Sequence, residues 1–427
     1  MRRRRVASDR IEPRTMGVPG PRIACYSHDT VGLGHIRRNI AVATALINAW
    51  PRADALMITG NPEATSLWLP SRTDVVTLPT VAKDRAGGYR SRTLNASLDS
   101  VVAIRSAVIE AAATTFAPDL LIVDKVPLGV AEELVPTLRR LRADFDTKIV
   151  LGLREILDDP VTTVAQWTAG AATAAIEEFY DAVWIYGDRQ VYDPVVEYGL
   201  PDSVAAKAVF TGYLGAGRFV ESGAATESGS CPTERPYVLC TVGGGQDGVA
   251  LARTFARTPL PAGHDGMVIC GPYMAAGDRA SVHAAAAAHP AMTVCDFVPD
   301  LHRRIAGAAA VVSMAGYNSV CEILACSRPA LLVPRTSPRL EQLIRAERLS
   351  ELGATDIMPL DQLAVAGLAT WVAEAVERRS VVERTNIDLD GLRRLPSIAE
   401  RLLPDLARRG LATVGSAHRR GADHRAA

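Results

Sequence analysis

The chain has 427 residues, 48% hydrophobic and 22% charged, with Lys+Arg and Asp+Glu tied at 47 each. That composition excludes a disordered or collagen-like chain, and the zero net charge removes the main argument for a nucleic-acid partner. No apolar run reaches the roughly 18–20 residues of a membrane span. Seven Cys, an odd number with no CxxC pair, argue against a disulfide framework or a zinc module. A cytoplasmic protein without a secretory signal is the expectation.

Charge is unevenly spread. Residues 1–20 carry six Arg against two acids, and residues 404–427 five Arg against two acids, leaving the body between them at about −7. Both ends read as unstructured and outside the chemistry: an Arg-rich leader at 1–20 and a tail at 411–427.

Along the body, short β-branched runs alternate with longer amphipathic stretches, the pattern of βαβ units and parallel sheets. Strands are predicted at 22–27, 55–59, 75–78, 119–124, 148–153, 182–186 and 208–211, with helices at 35–49, 97–116, 128–143 and 161–179. Residues 215–235 are rich in Gly, Ser, Ala and Thr without apolar period and read as a linker. The alternation then restarts. Strands fall at 237–242, 266–270, 292–297, 309–313, 330–333 and near 355. Helices fall at 247–257, 278–288, 300–306, 318–325, 338–351 and 361–378, and a last amphipathic stretch covers 389–409. The organisation is α/β, with a first domain at 21–214, a second at 236–390 and a terminal helix at 391–410. Ligands of doubly wound sheets lie beyond the carboxyl ends of the strands, so the cleft between the halves is the expected site.

Two strands run into small-residue turns that open helices. The first is His28-Asp29-Thr30-Val31-Gly32-Leu33-Gly34-His35; the second is Gly243-Gly244-Gly245-Gln246-Asp247-Gly248. Such turns let backbone N–H groups and a helix N-terminus meet an anion, and also occur as plain tight turns. Gly243, Gly245 and Gly248 spell GxGxxG, but the acid expected about 20 positions on is missing until Asp278, so a dinucleotide site is not expected. A P-loop is absent.

Residues 313–322 carry the most information. A strand ending at Ser313 turns through Gly316 into a helix bearing Glu322. Ser319-x-x-Glu322 fits a capping box, and by spacing alone that is the better reading. The other is a carboxylate accepting from the two hydroxyls of a ribose.

Over nearly all of 21–400, these segments resemble the two-domain GT-B glycosyltransferases, and within them family 28. The resemblance implies two doubly wound, Rossmann-like domains facing a cleft, the first binding acceptor and the second a nucleotide-diphosphate sugar. Gly32-x-Gly34-His35 is similar to the family's first Gly-rich loop. Gly243, Gly244, Gly245 and Gln246 resemble its donor loop, and Phe297-Val298 the segment holding the nucleotide base. Ser313-x-Ala315-Gly316 through Asn318, Ser319 and Glu322 resembles its SxAG…E stretch, which makes Glu322 a ribose ligand. Gln342 resembles a donor-sugar contact, although the family has two adjacent Gln where this chain has Glu341-Gln342.

The implied reaction is hexosyl transfer from a UDP-sugar, inverting and without metal or other cofactor. Diphosphate charge would be met by loop amides and helix ends. The candidate metal pair, Asp144-Phe145-Asp146, reads as a solvated turn. His35 is the first candidate for the base, with His28 and Asp29 as alternatives; His35 could equally orient the loop or touch phosphate. Strand ends add Asp124, Lys125, Arg154 and Glu155 as acceptor-side candidates, or as structural ion pairs. The acceptor, a small molecule, a saccharide or a lipid-linked sugar, is open, as is peripheral membrane contact. The rival functions are a nucleotide-sugar epimerase or hydrolase of the same shape and a non-catalytic nucleotide-sugar-binding protein.

Overall fold

The computed structural model describes residues 20–28, 32–83, 88–217, 235–298, 301–378 and 386–404. Asp29, nearly all of the Arg-rich leader, most of the linker and the whole tail lie outside the described residues.

The first half contains β1 (Arg22–Ser27), β2 (Asp54–Thr59), β3 (Thr73–Thr77), β4 (Val81–Lys83), β5 (Tyr89–Ser91), β6 (Leu120–Asp124), β7 (Lys148–Arg154), β8 (Ala182–Tyr186) and β9 (Ala208–Phe210). Seven of these form one parallel sheet in the order β3-β2-β1-β6-β7-β8-β9, and β4 and β5 pair antiparallel as a separate hairpin. The second half contains β10 (Tyr237–Thr241), β11 (Asp265–Ile269), β12 (Met292–Cys295), β13 (Ala310–Ser313), β14 (Ala330–Leu332) and β15 (Asp356–Ile357), all parallel, in the order β12-β11-β10-β13-β14-β15. The central strands are nearly all apolar, as strands covered on both faces must be: every residue of β6 and β8 is buried, and the one charged group among them is Asp124 at the end of β6. In each sheet the strand order reverses beside the first strand, between β1 and β6 and between β10 and β13. A crevice opens above the carboxyl ends of such a pair.

The helices are α1 (Gly34–Ala49), α2 (Leu98–Phe116), α3 (Val135–Asp144), α4 (Pro160–Ala169), α5 (Ala172–Phe179), the four-residue α6 (Pro194–Glu197) and α7 (Asp202–Ala205), α8 (Val249–Ala256), α9 (Ala276–Ala286), α10 (Leu301–Gly307), α11 (Tyr317–Cys326), α12 (Glu341–Glu351), α13 (Val365–Glu377) and α14 (Gly391–Leu402). Two expected helices are corrected. The one at 161–179 is broken, because Gly170 caps α4 and Ala171 takes a left-handed φ of 48° before α5. The one at 128–143 starts only at Val135: Gly129, Ala131 and Glu132 hold positive φ, and Pro136 fits the first helical turn.

The chain crosses back at its end. Gly391 N donates to Tyr213 O at 3.0 Å, α14 packs on α1, and Trp50 Nε1 donates to Glu400 Oε1 at 3.2 Å. One apolar cluster therefore runs from Ile23 and Trp184 of the first sheet, through Leu392, Leu395 and Ile398 of α14, to Leu239 and Leu332 of the second. Among the described residues no helix is long and apolar enough to cross a membrane.

Candidate active site

The two reversal points face each other. On the first domain, β1 and β6 end side by side, with Ser27 paired to Asp124, and α1 starts just beyond β1. Its first turn brings His35 Nδ1 to 2.6 Å from Asp124 Oδ2. Arg38, one turn on, sends Nη2 to both oxygens of Asp124 at 2.6 Å. Spacing of three puts His35 and Arg38 on one helix face, which is why a single carboxylate can hold both. Asp124 and Arg38 are 1% and 2% exposed. Burial would raise the Asp124 carboxyl, but the Arg38 guanidinium and His35 outweigh it and hold the group well below the usual carboxylate range. His28, 5% exposed, sets its ring edge-on to His35 with centroids 4.8 Å apart.

On the second domain, β10 ends in Gly243-Gly244-Gly245. Gly243 and Gly245 have φ of 63° and 93°, and a Cβ on Gly245 would lie 2.3 Å from Cys270 O. The turn after β11 packs back in kind: a Cβ on Gly271 would lie 2.3 Å from Gly243 O. Side-chain-free backbone is thus required at both positions. Beside them β13 turns through Gly316 into the N-terminus of α11, whose first N–H groups have no intrahelical partner.

A cavity of about 240 Å³ lies between these two sets. Gly34, His35, Arg37, Arg38 and Arg154 line it from the first domain; Gly243, Gly244, Gly316, Asn318 and Ser319 line it from the second. Phe297, Val298 and Leu301 also line it, as do Arg335, Glu341 and Gln342. Gly245 and Gln246 line an adjoining space of about 150 Å³ that shares Gly243, Gly316 and Arg335 with the first. Asn318 Nδ2 also donates to Gly34 O at 3.0 Å, tying the domains together across the site.

Several expected residues stand behind the wall rather than on it. Ser313 donates to Thr241 O at 3.1 Å and Ala315 is fully buried, so both build the wall. The Gly32 carbonyl accepts from Asn61 Nδ2 at 2.8 Å. Lys125 sits at a left-handed φ of 71° and does not line the cavity. Glu155, fully buried, takes Arg345 Nε at 2.5 Å and Tyr213 Oη at 2.9 Å, so it is the structural pair of its two alternatives. The capping box does not form: α11 begins at Tyr317 after an N-cap at Gly316, which leaves Ser319 inside the helix and Glu322 in its second turn. Glu322, 2% exposed, accepts from Arg37 Nη2 at 3.1 Å, and its Oε2 has no hydrogen-bond partner among the described residues. Asp144 is paired to Arg140 at 2.6 Å, just before the amino end of β7 and so at the opposite end of the sheet from the cavity.

Sequence reasoning overlooked Arg37, Arg38, Arg335 and Tyr317. The spacing of three from His35 pointed to Arg38; nothing local pointed to the others. Arg335 Nη2 donates to Glu341 Oε1 at 2.7 Å and its Nε lies 3.2 Å from Asp247. Tyr317 lies between the guanidiniums of Arg38 and Arg345, each 5.7 Å from its ring centroid. Arg154 has no partner for Nε among the described residues, and burial pushes its guanidinium down to about 10, against the pull of Glu341.

Residues 242–402 match the glycosyltransferase family 28 C-terminal domain. A UDP-N-acetylglucosamine–N-acetylmuramyl-(pentapeptide) pyrophosphoryl-undecaprenol N-acetylglucosamine transferase of Bartonella quintana is 31% identical over 117 residues, 26% of this chain; the match spans only 31% of that relative's length. Solved structures align over most of the chain. The glycotransferase of kitacinnamycin superposes with a TM-score of 0.57 at 15% identity, covering 92% of this chain and 100% of that one. A Listeria monocytogenes protein assigned as a UDP-N-acetylglucosamine 2-epimerase gives 0.59 at 9% identity, covering 91% and 98%. The second half therefore resembles a family 28 C-terminal domain over residues 242–402, and the chain as a whole has the two-domain GT-B fold.

Proposed function

We propose that the chain transfers a hexosyl group from a nucleotide-diphosphate sugar, a UDP-sugar by preference, to an acceptor held by the first domain. The observation that carries this is the facing of His35, held by Asp124, and the bare backbone of Gly243–Gly244 and the start of α11 across one cavity.

The nucleotide base lies against Phe297 and Val298, and the diphosphate against the Gly243–Gly244 amides, the first turn of α11 and Arg335. With Nδ1 of His35 committed to Asp124, proton transfer from the acceptor hydroxyl falls to Nε2, and Asp124 stabilises the imidazolium that forms. Attack from the side opposite the departing diphosphate inverts the anomeric centre. Charge on the leaving group is met by N–H groups and guanidiniums in the place of a metal ion. Glu322 binds the ribose through Oε2, with Arg37 holding the other oxygen. The epimerase likeness supports a second reading, hydrolysis or epimerisation of the same nucleotide sugar, which needs no acceptor.

Calorimetry and thermal shift with UDP, dTDP and their sugars test the reading. Binding of one nucleoside diphosphate in the micromolar range is expected, weakened about tenfold in Glu322→Ala and little changed in His35→Ala. No binding by any of them refutes the donor site. Conversion of the nucleotide sugar without acceptor, at a rate an acceptor does not raise, replaces transfer by the second reading.

A further inference from the structure

Asp124 answers to two cationic partners at once. Its Oδ2 takes His35 Nδ1 and Arg38 Nη2, each at 2.6 Å, and its Oδ1 takes Arg38 Nη2 at 2.6 Å and Nε at 3.2 Å. The two donors crowd together there: Arg38 Nη2 lies 3.0 Å from His35 Nδ1. With the Nδ1 proton given to Asp124, that approach sets N–H against N–H and gains no hydrogen bond. The guanidinium is held by more than its carboxylate, since it is 2% exposed and stands 5.7 Å from the Tyr317 ring centroid. Burial pulls it toward the neutral form, but Asp124 outweighs that and keeps it above its ordinary range, so it is a fixed positive charge.

We propose that Arg38 is a positioning residue that offsets the charge of Asp124 at the His35 ring, so that His35 keeps its orientation but stays unprotonated and able to act as a base near neutral pH. The inference deepens the proposed function and rests on its assignment of the base. A buried carboxylate alone beside a histidine favours the imidazolium and raises its midpoint by about 1–3 pH units. Such a ring would already be charged at neutral pH and could not take the acceptor proton. Here carboxylate and guanidinium sum to zero charge, and both lie against the same ring nitrogen. The hydrogen bond from Nδ1 remains, which fixes the tautomer and leaves Nε2 to receive the proton. The other titratable groups about the pair are accounted for. Arg37, on the same helix, is spent on Glu322 of α11 at 3.1 Å. His28, at the end of β1, presents its ring edge to His35 with centroids 4.8 Å apart. Tyr317 of α11 and Tyr186 of β8, which face Arg38, are buried phenols whose burial pushes them well above their ordinary range, so they stay neutral.

The test is an NMR titration of the full chain with its histidines labelled at Cε1. The His35 resonance is the one, of eight histidines, that His35→Gln removes. The wild-type midpoint is expected at or below the ordinary histidine value of about 6.5. Arg38→Met should raise it by about one pH unit or more, and Arg38→Lys, which restores a positive charge, by less. Arg38→Met also leaves a buried carboxylate short of partners, so Asp124→Asn and the double variant Asp124→Asn/Arg38→Met supply a second comparison without a lone buried acid. His35 in the double variant should titrate about one pH unit or more above His35 in Asp124→Asn. Rates of UDP-glucose and UDP-N-acetylglucosamine consumption against pH read the consequence. In Arg38→Met the acid limb should move up with the His35 midpoint, so the rate falls more below about pH 7 than above it. A His35 midpoint indifferent to Arg38 in both comparisons overturns the role of Arg38 and leaves the base assignment standing. A wild-type midpoint about one pH unit or more above the ordinary value does the same. An acid limb that stays in place while the His35 midpoint moves overturns the base assignment, and this inference with it.

Discussion

Asp124→Asn separates the two tasks of one buried carboxylate. In the wild type Asp124 faces a fork from Arg38 and the ring of His35, with both members of the ion pair essentially out of water. The amide keeps the shape and removes the charge, which strands the Arg38 guanidinium. Breaking a buried pair from one side costs about 3–5 kcal/mol. A domain of this size loses about 2–4 °C per kcal/mol, so a fall in Tm of about 6–20 °C is expected. The same change frees the His35 tautomer and withdraws the charge that steadies its protonated form, and kcat should fall by about a hundredfold or more. His35→Ala is the matched control: it loses the base but keeps Arg38 on Asp124, so activity falls while Tm moves little. The pH dependence has a fixed sign. Because the folded carboxyl is held below its unfolded value, its stabilisation is complete above the unfolded pKa of about 4 and is lost as pH falls below it. The Tm gap between wild type and Asp124→Asn should therefore be flat from about pH 5 to 8 and narrow only at lower pH. Differential scanning calorimetry across that range, with steady-state rates, reads both effects. A variant as stable as the wild type refutes the buried-pair account, and one with unchanged kcat refutes the positioning of His35.

Two more outcomes follow from the ion pairs. Arg154→Gln should raise Tm by about 2–4 °C at neutral pH, since folding disfavours the charged guanidinium there. The gain should fade only above about pH 10, where Arg154 itself deprotonates, and diphosphate-sugar binding should weaken; a lower Tm means that Arg154 is held by partners instead. For the interdomain pair, Glu155→Gln and Arg345→Met should each lower Tm by about 6 °C or more, while the double variant recovers most of that loss; additive losses in the thermal-unfolding cycle would show the two groups act independently.

The parallel sheets and their helices were legible because apolar period is a local property, readable within a dozen residues. The runs at 120–123 and 182–186 are apolar end to end, and a doubly covered sheet uses such runs. The places where prediction slipped were also local, but of a kind that periodicity hides: Ala171 and Ala131 adopt left-handed backbone that no Ala advertises. At the site, Gly243 and His35 carried signals of their own. Arg335 and Arg37 did not, since surface-like arginines on helices and loops look alike until something packs against them.

Glu322 marks the boundary between what the chain spells and what the fold decides. Ser319-x-x-Glu322 suited a cap as well as a ligand; the start of α11 at Tyr317, after the Gly316 turn beyond β13, removes the cap and leaves the ligand role to the binding test. Its partner Arg37 is 285 positions away, Arg345 is 190 from Glu155, and His35 is 89 from Asp124. The sequence by itself determined the two doubly wound sheets and the glycine turns at their reversal points, because backbone conformation and apolar period are short-range. Only the tertiary structure decided which charges neutralise one another and which face the cavity, because such pairing depends on desolvation and distance between segments that meet only after both domains have folded.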